Sequence, residues 1–96
     1  MALYSIEGNL IPKGYQQVTS LSAVKALTIP EDAEIAVIQA ESQNVRWRDD
    51  GIGPTASVGM QLAAGRDMLF TSKLSAVRFI EEAASAKLNV SYYARG

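Results

Sequence analysis

The stretch Val45–Ser57, VRWRDDGIGPTAS, gathers the residue types of this chain that could carry chemistry. It contains the single Trp of the sequence, Trp47, flanked by Arg46 and Arg48. A Trp ring can stack on a sugar or a base, and Arg can bind charged groups through two parallel hydrogen bonds. In an extended strand, however, Trp47 shares a face with Val45 while both Arg side chains take the other face. The pattern therefore favours a core Trp with two solvent-facing or interface Arg residues over a ligand platform.

The chain lacks the residues on which most enzyme mechanisms depend. It has no His and no Cys, which excludes Ser-His and Cys-His nucleophiles and the usual zinc ligands. Asp49 and Asp50 lack the alternating ligands and closing Glu of a calcium loop, and Asp50-Gly51 suits a hairpin turn. Neighbours on a strand point to opposite faces, so neither this pair nor Glu81-Glu82 forms a two-carboxylate site by itself. We predict no enzymatic activity, no catalytic residues, no metal and no cofactor.

Charge and length narrow the class of protein further. Nine basic and ten acidic residues nearly cancel, so the basic footprint of a nucleic-acid-binding protein is missing. No apolar run approaches the roughly 18 to 20 residues of a membrane span. A chain of 96 residues forms one domain that buries only a little over ~60% of its unfolded surface, so partner subunits would add stability. We expect a homo-oligomer that binds neither nucleic acid nor membrane.

Short strands separated by turn residues run through the whole sequence. Apolar and polar residues alternate in three segments, and a continuous apolar run after a Pro-containing turn predicts an inner strand. The predicted strands are Tyr15–Thr19, Ile35–Ile38, Val45–Asp50, Val58–Leu62, Met68–Thr71 and Leu88–Tyr93, with others in the repeat described next. Seven or eight strands of this kind predict an all-β fold: a single-domain antiparallel β-sandwich, jelly-roll-like, over residues 1–96.

An internal repeat bears on a segment that helix propensity alone would assign to a helix. Leu21–Val37 aligns without a gap on Leu74–Val90, beginning with Leu-Ser-Ala-Val in both copies. Pro30 occupies the position of Ala83, and a Pro in a helix interior costs about 3 kcal/mol. We therefore predict two equivalent hairpins, the second turning at Ala83 to Ala86. Chance similarity between Ala-rich segments is the alternative.

From Ala36 to the C-terminus the sequence resembles a set of small proteins encoded among the structural genes of tailed bacteriophages and prophages. The Arg-Trp-Arg-Asp-Asp-Gly motif is the most specific part of the resemblance. The matching segments are Val45–Gly51, Pro54-Thr55, Ala64-Gly65, Arg78–Ile80 and Leu88–Tyr93.

The resemblance implies a structural protein of a virion, made in the bacterial host cytoplasm. We expect a capsid decoration or cement protein that stabilises the head, with a trimer as the favoured homo-oligomer. Its partners would be the major capsid protein or other virion proteins. The alternatives are a tail or fibre accessory protein and a carbohydrate-binding surface module, the latter requiring exposed Trp47, Tyr92 and Tyr93.

Charged and aromatic residues are the candidates for a subunit or partner interface, in which Arg is enriched. Arg46 and Arg48 would project together, with acidic groups of opposite sign beside them, and an outward Tyr near the chain end is an ordinary interface residue. The predicted interface residues are Arg46, Arg48, Asp49, Asp50 and Tyr93.

Overall fold

The computed structural model describes residues 9–96, which form eight β-strands and one turn of 3-10 helix. The strands are β1 (Leu10–Val18), β2 (Lys25–Ala26), β3 (Ile35–Glu41), β4 (Val45–Arg48), β5 (Met60–Leu62), β6 (Asp67–Phe70), β7 (Arg78–Glu81) and β8 (Lys87–Arg95). The 3-10 turn spans Leu74–Ala76. The all-β prediction is confirmed, while residues 1–8 of the predicted domain lie outside the described residues. In this part of the chain no helix is long and apolar enough to cross a membrane.

The strands form two four-stranded antiparallel sheets. Sheet I has the order β1-β8-β3-β6 and sheet II the order β2-β7-β4-β5. Apart from β4 and β5, consecutive strands lie in opposite sheets, so the chain crosses repeatedly from one sheet to the other. This order is that of a jelly roll, in which two Greek keys are wound together. The predicted jelly-roll-like sandwich is therefore confirmed.

The core lies between the two sheets and is made by alternate residues of each strand. In β8 the alternation is complete, because Leu88, Val90, Tyr92 and Ala94 are buried while the residues between them are half-buried. Inward-facing residues of the central strand β3 include Ala36 and Ala40, whose small side chains allow close packing. The remaining core is built from Val18, Leu21, Leu27, Ile38, Val45, Leu62, Phe70, Leu74, Val77, Phe79 and Ala86.

Both copies of the repeat are strand, turn and strand, but neither is a hairpin. The chain passes from β2 in sheet II to β3 in sheet I, and likewise from β7 to β8. Each turn contains a non-Gly residue with positive φ at equivalent positions, Asp32 at 65° and Ser85 at 76°. The hairpin prediction is wrong because these turns carry the chain between sheets, so that corresponding strands of the two copies pair with each other: β2 with β7 and β3 with β8.

The gapless alignment of the two copies is also one residue out of phase within the strands. It matches exposed Ala26 of β2 with fully buried Phe79 of β7. A slip of one residue moves a side chain to the opposite face of a sheet. An alignment shifted by one residue matches Ile38 with Val90, which pair directly across β3 and β8. In this alignment buried residues of β3 correspond to buried residues of β8.

Candidate functional site

The loop 49–59, which joins β4 to β5, borders a depression in the described surface. Its volume is about 510 Å³, and it is lined by Trp47, Arg48, Asp49, Asp50, Val58, Gly59 and Met60. β5 lies at the edge of sheet II, so its outer backbone groups have no neighbouring strand among residues 9–96. The stretch Val45–Ser57 therefore borders both a concavity and a sheet edge. We call this surface the β5-edge patch and define it by Trp47, Val58 and Met60.

Trp47 faces the core, as predicted, but it is only partly buried. Its ring meets Phe70 of the opposite sheet edge-on, with centroids 5.8 Å apart and planes at 82°. Val45, on the same face, is fully buried. Trp47 is less buried than Val45 because its pairing partner on β5, Met60, is itself 61% exposed.

Alternation over the predicted strand Val58–Leu62 places Val58, Met60 and Leu62 on one face, although only Met60–Leu62 form β5. Leu62 is buried, whereas Val58 is 54% and Met60 61% exposed. The alternation held only at the end of the strand that lies over the core. Exposed apolar side chains at this edge could not be distinguished from core residues by sequence periodicity, since both give the same pattern.

Arg48 and Asp50 form an ion pair within the chain at the border of the depression. Arg48 Nε donates to Asp50 Oδ1 at 3.0 Å, and Nη2 donates to Oδ2. The hydrogen bond from Arg48 lowers the pKa of the Asp50 carboxyl, and the same bond raises the pKa of Arg48. The predicted pairing of the strands on either side of Asp50-Gly51 is confirmed, because β4 and β5 are antiparallel neighbours. The tight turn is not formed: Gly51 has the positive φ of 87°, but the chain continues through the loop 49–59 before pairing resumes.

Arg46 forms the second ion pair, with Glu82 in the turn after β7. Arg46 Nε lies 2.6 Å from Glu82 Oε2, although its N–H makes no hydrogen bond, so the contact is ionic. Arg46 Nη1 donates to the carbonyl oxygen of Gly59 at 3.0 Å. Hydrogen bonds from Gln61 and, to a lesser degree, Asn44 lower the pKa of Glu82, and the charge of Arg46 adds to the effect.

The five predicted interface residues do not lie on one surface. Arg46, Arg48, Asp49 and Asp50 belong to β4 and the loop that follows it, whereas Tyr93 lies on β8 of the other sheet. Tyr93 is half-buried, and its hydroxyl accepts a hydrogen bond from Ser91 Oγ at 3.1 Å. Their role in a subunit interface stays a prediction.

The aromatic platform predicted for a carbohydrate module is not present in the proposed form. Tyr92 is 1% exposed, and its hydroxyl donates to Gln16 Oε1 at 2.6 Å. Trp47 and Tyr93 lie in different sheets. The alternation of β8 required one of the two Tyr residues to face inward, and this residue is Tyr92.

Comparison with known proteins assigns no family or function to this chain. No protein-family model, curated protein or solved structure matches the chain. Across residues 9–96, no group of three or more acidic side chains is arranged to hold a metal ion.

Proposed function

We propose that this chain is a non-catalytic structural protein of a tailed bacteriophage particle, located on the capsid as a decoration or cement protein. The proposal starts from the sequence resemblance over Val45–Tyr93, residues that here form β4 to β8 and their connections. Jelly rolls serve in viral capsid and lectin domains, which is compatible with this role. Because one fold serves many functions, the argument depends on the surface.

The β5-edge patch is the observation that carries the proposal. Val58 and Met60 are each more than half exposed beside partly buried Trp47, and Ile52 of the same loop is 58% exposed. Exposed apolar side chains gathered beside an unpaired sheet edge are a liability for an isolated small protein. A role as an assembled subunit explains why they are present.

In this proposal a second copy of the chain covers the patch, with a trimer as the favoured state. The loop supplies an apolar projection, Ile52, close in sequence to the depression that Trp47 lines. A surface with both a projection and a depression can contact its own copies around a symmetry axis. The capsid, or another virion protein, then contacts the remaining surface of the oligomer.

The direct test uses phage particles made without this chain. A decoration protein is dispensable for head assembly but adds stability, so heads lacking it should form, then release DNA at a lower temperature. Adding the purified chain should restore the release temperature and bring the chain to the heads in a density gradient. If the chain sediments with isolated tails instead, the capsid location is wrong and the tail or fibre role replaces it.

A further inference from the structure

The outer face of sheet I carries a line of polar side chains, one from each of its four strands. Gln17 of β1 pairs with Asn89 of β8, Asn89 with Gln39 of β3, and Gln39 with Asp67 of β6. We call these four residues the polar row. Because adjacent strands are about 4.8 Å apart, the row presents hydrogen-bonding groups at that spacing across the whole sheet.

Asn89 holds the row in a fixed arrangement. Its Oδ1 accepts hydrogen bonds from the Tyr15 hydroxyl at 2.7 Å and from Gln17 Nε2 at 3.0 Å. Its Nδ2 donates to Gln39 Oε1 at 3.2 Å and to Glu41 Oε1 at 2.8 Å. These four bonds use the full capacity of an amide side chain. The neighbours of Asn89 are thereby oriented before any ligand arrives, which reduces the entropy cost of binding.

The outer groups of the row are free to bind a ligand. The bonds to Asn89 use Gln17 Nε2 and Gln39 Oε1, so Gln39 Nε2 remains as a donor and Gln17 Oε1 as an acceptor. Neither atom, nor the Asp67 carboxylate, makes a side-chain hydrogen bond or ion pair elsewhere in residues 9–96. A donor on β3 thus stands one strand away from a carboxylate acceptor on β6, a pattern that suits adjacent hydroxyl groups of a sugar ring, since each hydroxyl both donates and accepts.

Tyr15 adds an apolar surface to these polar groups. It is 64% exposed, and its hydroxyl is bound to Asn89, so the ring presents an exposed surface while its polar tip is fixed. A shallow depression of about 200 Å³ lies beside it, lined by Tyr15, Val37, Gln39, Asp67, Asn89 and Ser91. An aromatic ring next to oriented amides is the combination that a pyranose needs, because its ring has an apolar C–H face and hydroxyls at its rim.

We propose that this surface binds a neutral oligosaccharide. No Lys or Arg lines the depression, and Asp67 contributes negative charge, which disfavours phosphate, nucleic acid and acidic sugars. The site lies on sheet I, whereas the β5-edge patch lies on sheet II. It is therefore independent of the proposed assembly, and the capsid role could fail while the carbohydrate site stands.

The experiment is an NMR titration of the full chain with three neutral hexasaccharides: β-1,4-linked glucose, α-1,4-linked glucose and β-1,4-linked N-acetylglucosamine. At least one should cause saturable shifts in the amide signals of Tyr15, Gln39, Asp67 and Asn89 at sugar concentrations up to about 10 mM, where millimolar affinities are detected. Absence of shifts with all three sugars would overturn the proposal. Shifts that depend on protein concentration without sugar would assign the face to self-association and overturn it as well.

Variants locate the binding surface. Tyr15→Ala and Gln39→Ala should each weaken binding about tenfold, the effect of losing roughly one stacking contact or hydrogen bond. Gln61→Ala is the matched control, because Gln61 is an exposed amide on sheet II, and it should bind as the wild type does. A melting temperature within a few degrees of wild type establishes that each variant is folded. Equal affinity of all three variants would contradict the site.

Discussion

Arg46 Nε lies 2.6 Å from Glu82 Oε2, and the two side chains are 25% and 20% exposed. Through this contact, and through the Arg46 hydrogen bond to the Gly59 carbonyl, the turn after β7, strand β4 and the end of the loop 49–59 are joined. The residue predicted from sequence to contact a neighbouring subunit is thus already engaged within its own chain. Reversal of its charge would disturb the fold as well as any interface.

Acid should destabilise the protein through Glu82. Hydrogen bonds from Gln61 and Asn44 and the charge of Arg46 lower its folded-state pKa below the ordinary value of 4.5. A lowered folded pKa contributes stability above the unfolded-state pKa, and this contribution is lost as pH falls through the folded pKa. Urea unfolding should therefore show a fall in stability below about pH 4.5, and Glu82→Gln should make that fall smaller. An identical pH profile for the variant would contradict the assignment.

Trp47→Ala should lower the free energy of unfolding by about 3 kcal/mol, the low end of the range for buried aromatic residues, because Trp47 is only partly buried. Trp47→Phe, which preserves a ring against Phe70, is the matched control and should cost less. Urea unfolding followed by circular dichroism measures both, since the variants lose the Trp fluorescence. Equal costs would mean that the edge-on contact with Phe70 contributes nothing.

Tyr92 should titrate far above an ordinary tyrosine. Burial raises the pKa of its hydroxyl to about 12, and the group donates to Gln16. A raised folded pKa contributes stability below the unfolded-state pKa of 10, and the contribution is lost as pH rises toward 12. Ultraviolet titration of the folded protein should show a tyrosinate transition near that value. The transition should disappear in Tyr92→Phe and persist in Tyr93→Phe. The reverse result would contradict the assignment of the buried hydroxyl to Tyr92.

Gly59→Ala should destabilise the protein by about 2 kcal/mol, because the backbone has a φ of 140° and an added Cβ would lie 3.0 Å from Pro54 Cβ and 3.1 Å from the Trp47 carbonyl oxygen. Gly51→Ala is the control within the same loop. Its φ is 87° with no atom within 4 Å of the added Cβ, so only the backbone cost of about 1 kcal/mol applies. Melting temperatures should rank wild type, Gly51→Ala, Gly59→Ala in descending order.

Sequence alternation predicted the strands that begin near Val45 and Leu88 and the direction of the side chains at Val45, Trp47, Tyr92 and Tyr93. It was insufficient for pairing partners, which depend on contacts between distant segments. β1 pairs with β8 and β2 with β7, and no local pattern specifies either choice. The hairpin prediction for the second repeat was wrong for this reason. A strand, a turn and a second strand have the same sequence pattern whether the turn stays within one sheet or crosses to the other.

The polar row shows the same limit at the level of a site. Gln17, Gln39, Asp67 and Asn89 are far apart in sequence, and each alone is an ordinary solvent-facing residue. The predicted inner strand Ile35–Ile38 ended before Gln39 and Glu41, which belong to β3 in the structure. Only the registers of three separate strand pairs bring the four residues into line.

Self-association should depend on the β5-edge patch. Sedimentation velocity at about 10 µM should show an oligomer for the wild type and a monomer for Met60→Glu, with unchanged circular dichroism, because an interface burying an unpaired charge is strongly weakened. Ile11→Glu is the control, since Ile11 is 45% exposed on β1, at the edge of sheet I, and this variant should remain oligomeric. A monomeric wild type would contradict assembly through this patch in the free protein.

The location of the chain in the particle tests the central claim most directly. Electron cryomicroscopy of the virion that encodes it, at a resolution that shows strands, should reveal jelly-roll densities repeated at equivalent positions of the outer capsid lattice, with β5 edges meeting between copies. The same density found only on the tail or its fibres would contradict the decoration role. Particles with no density for the chain, and none of its peptides by mass spectrometry, would contradict the virion role altogether.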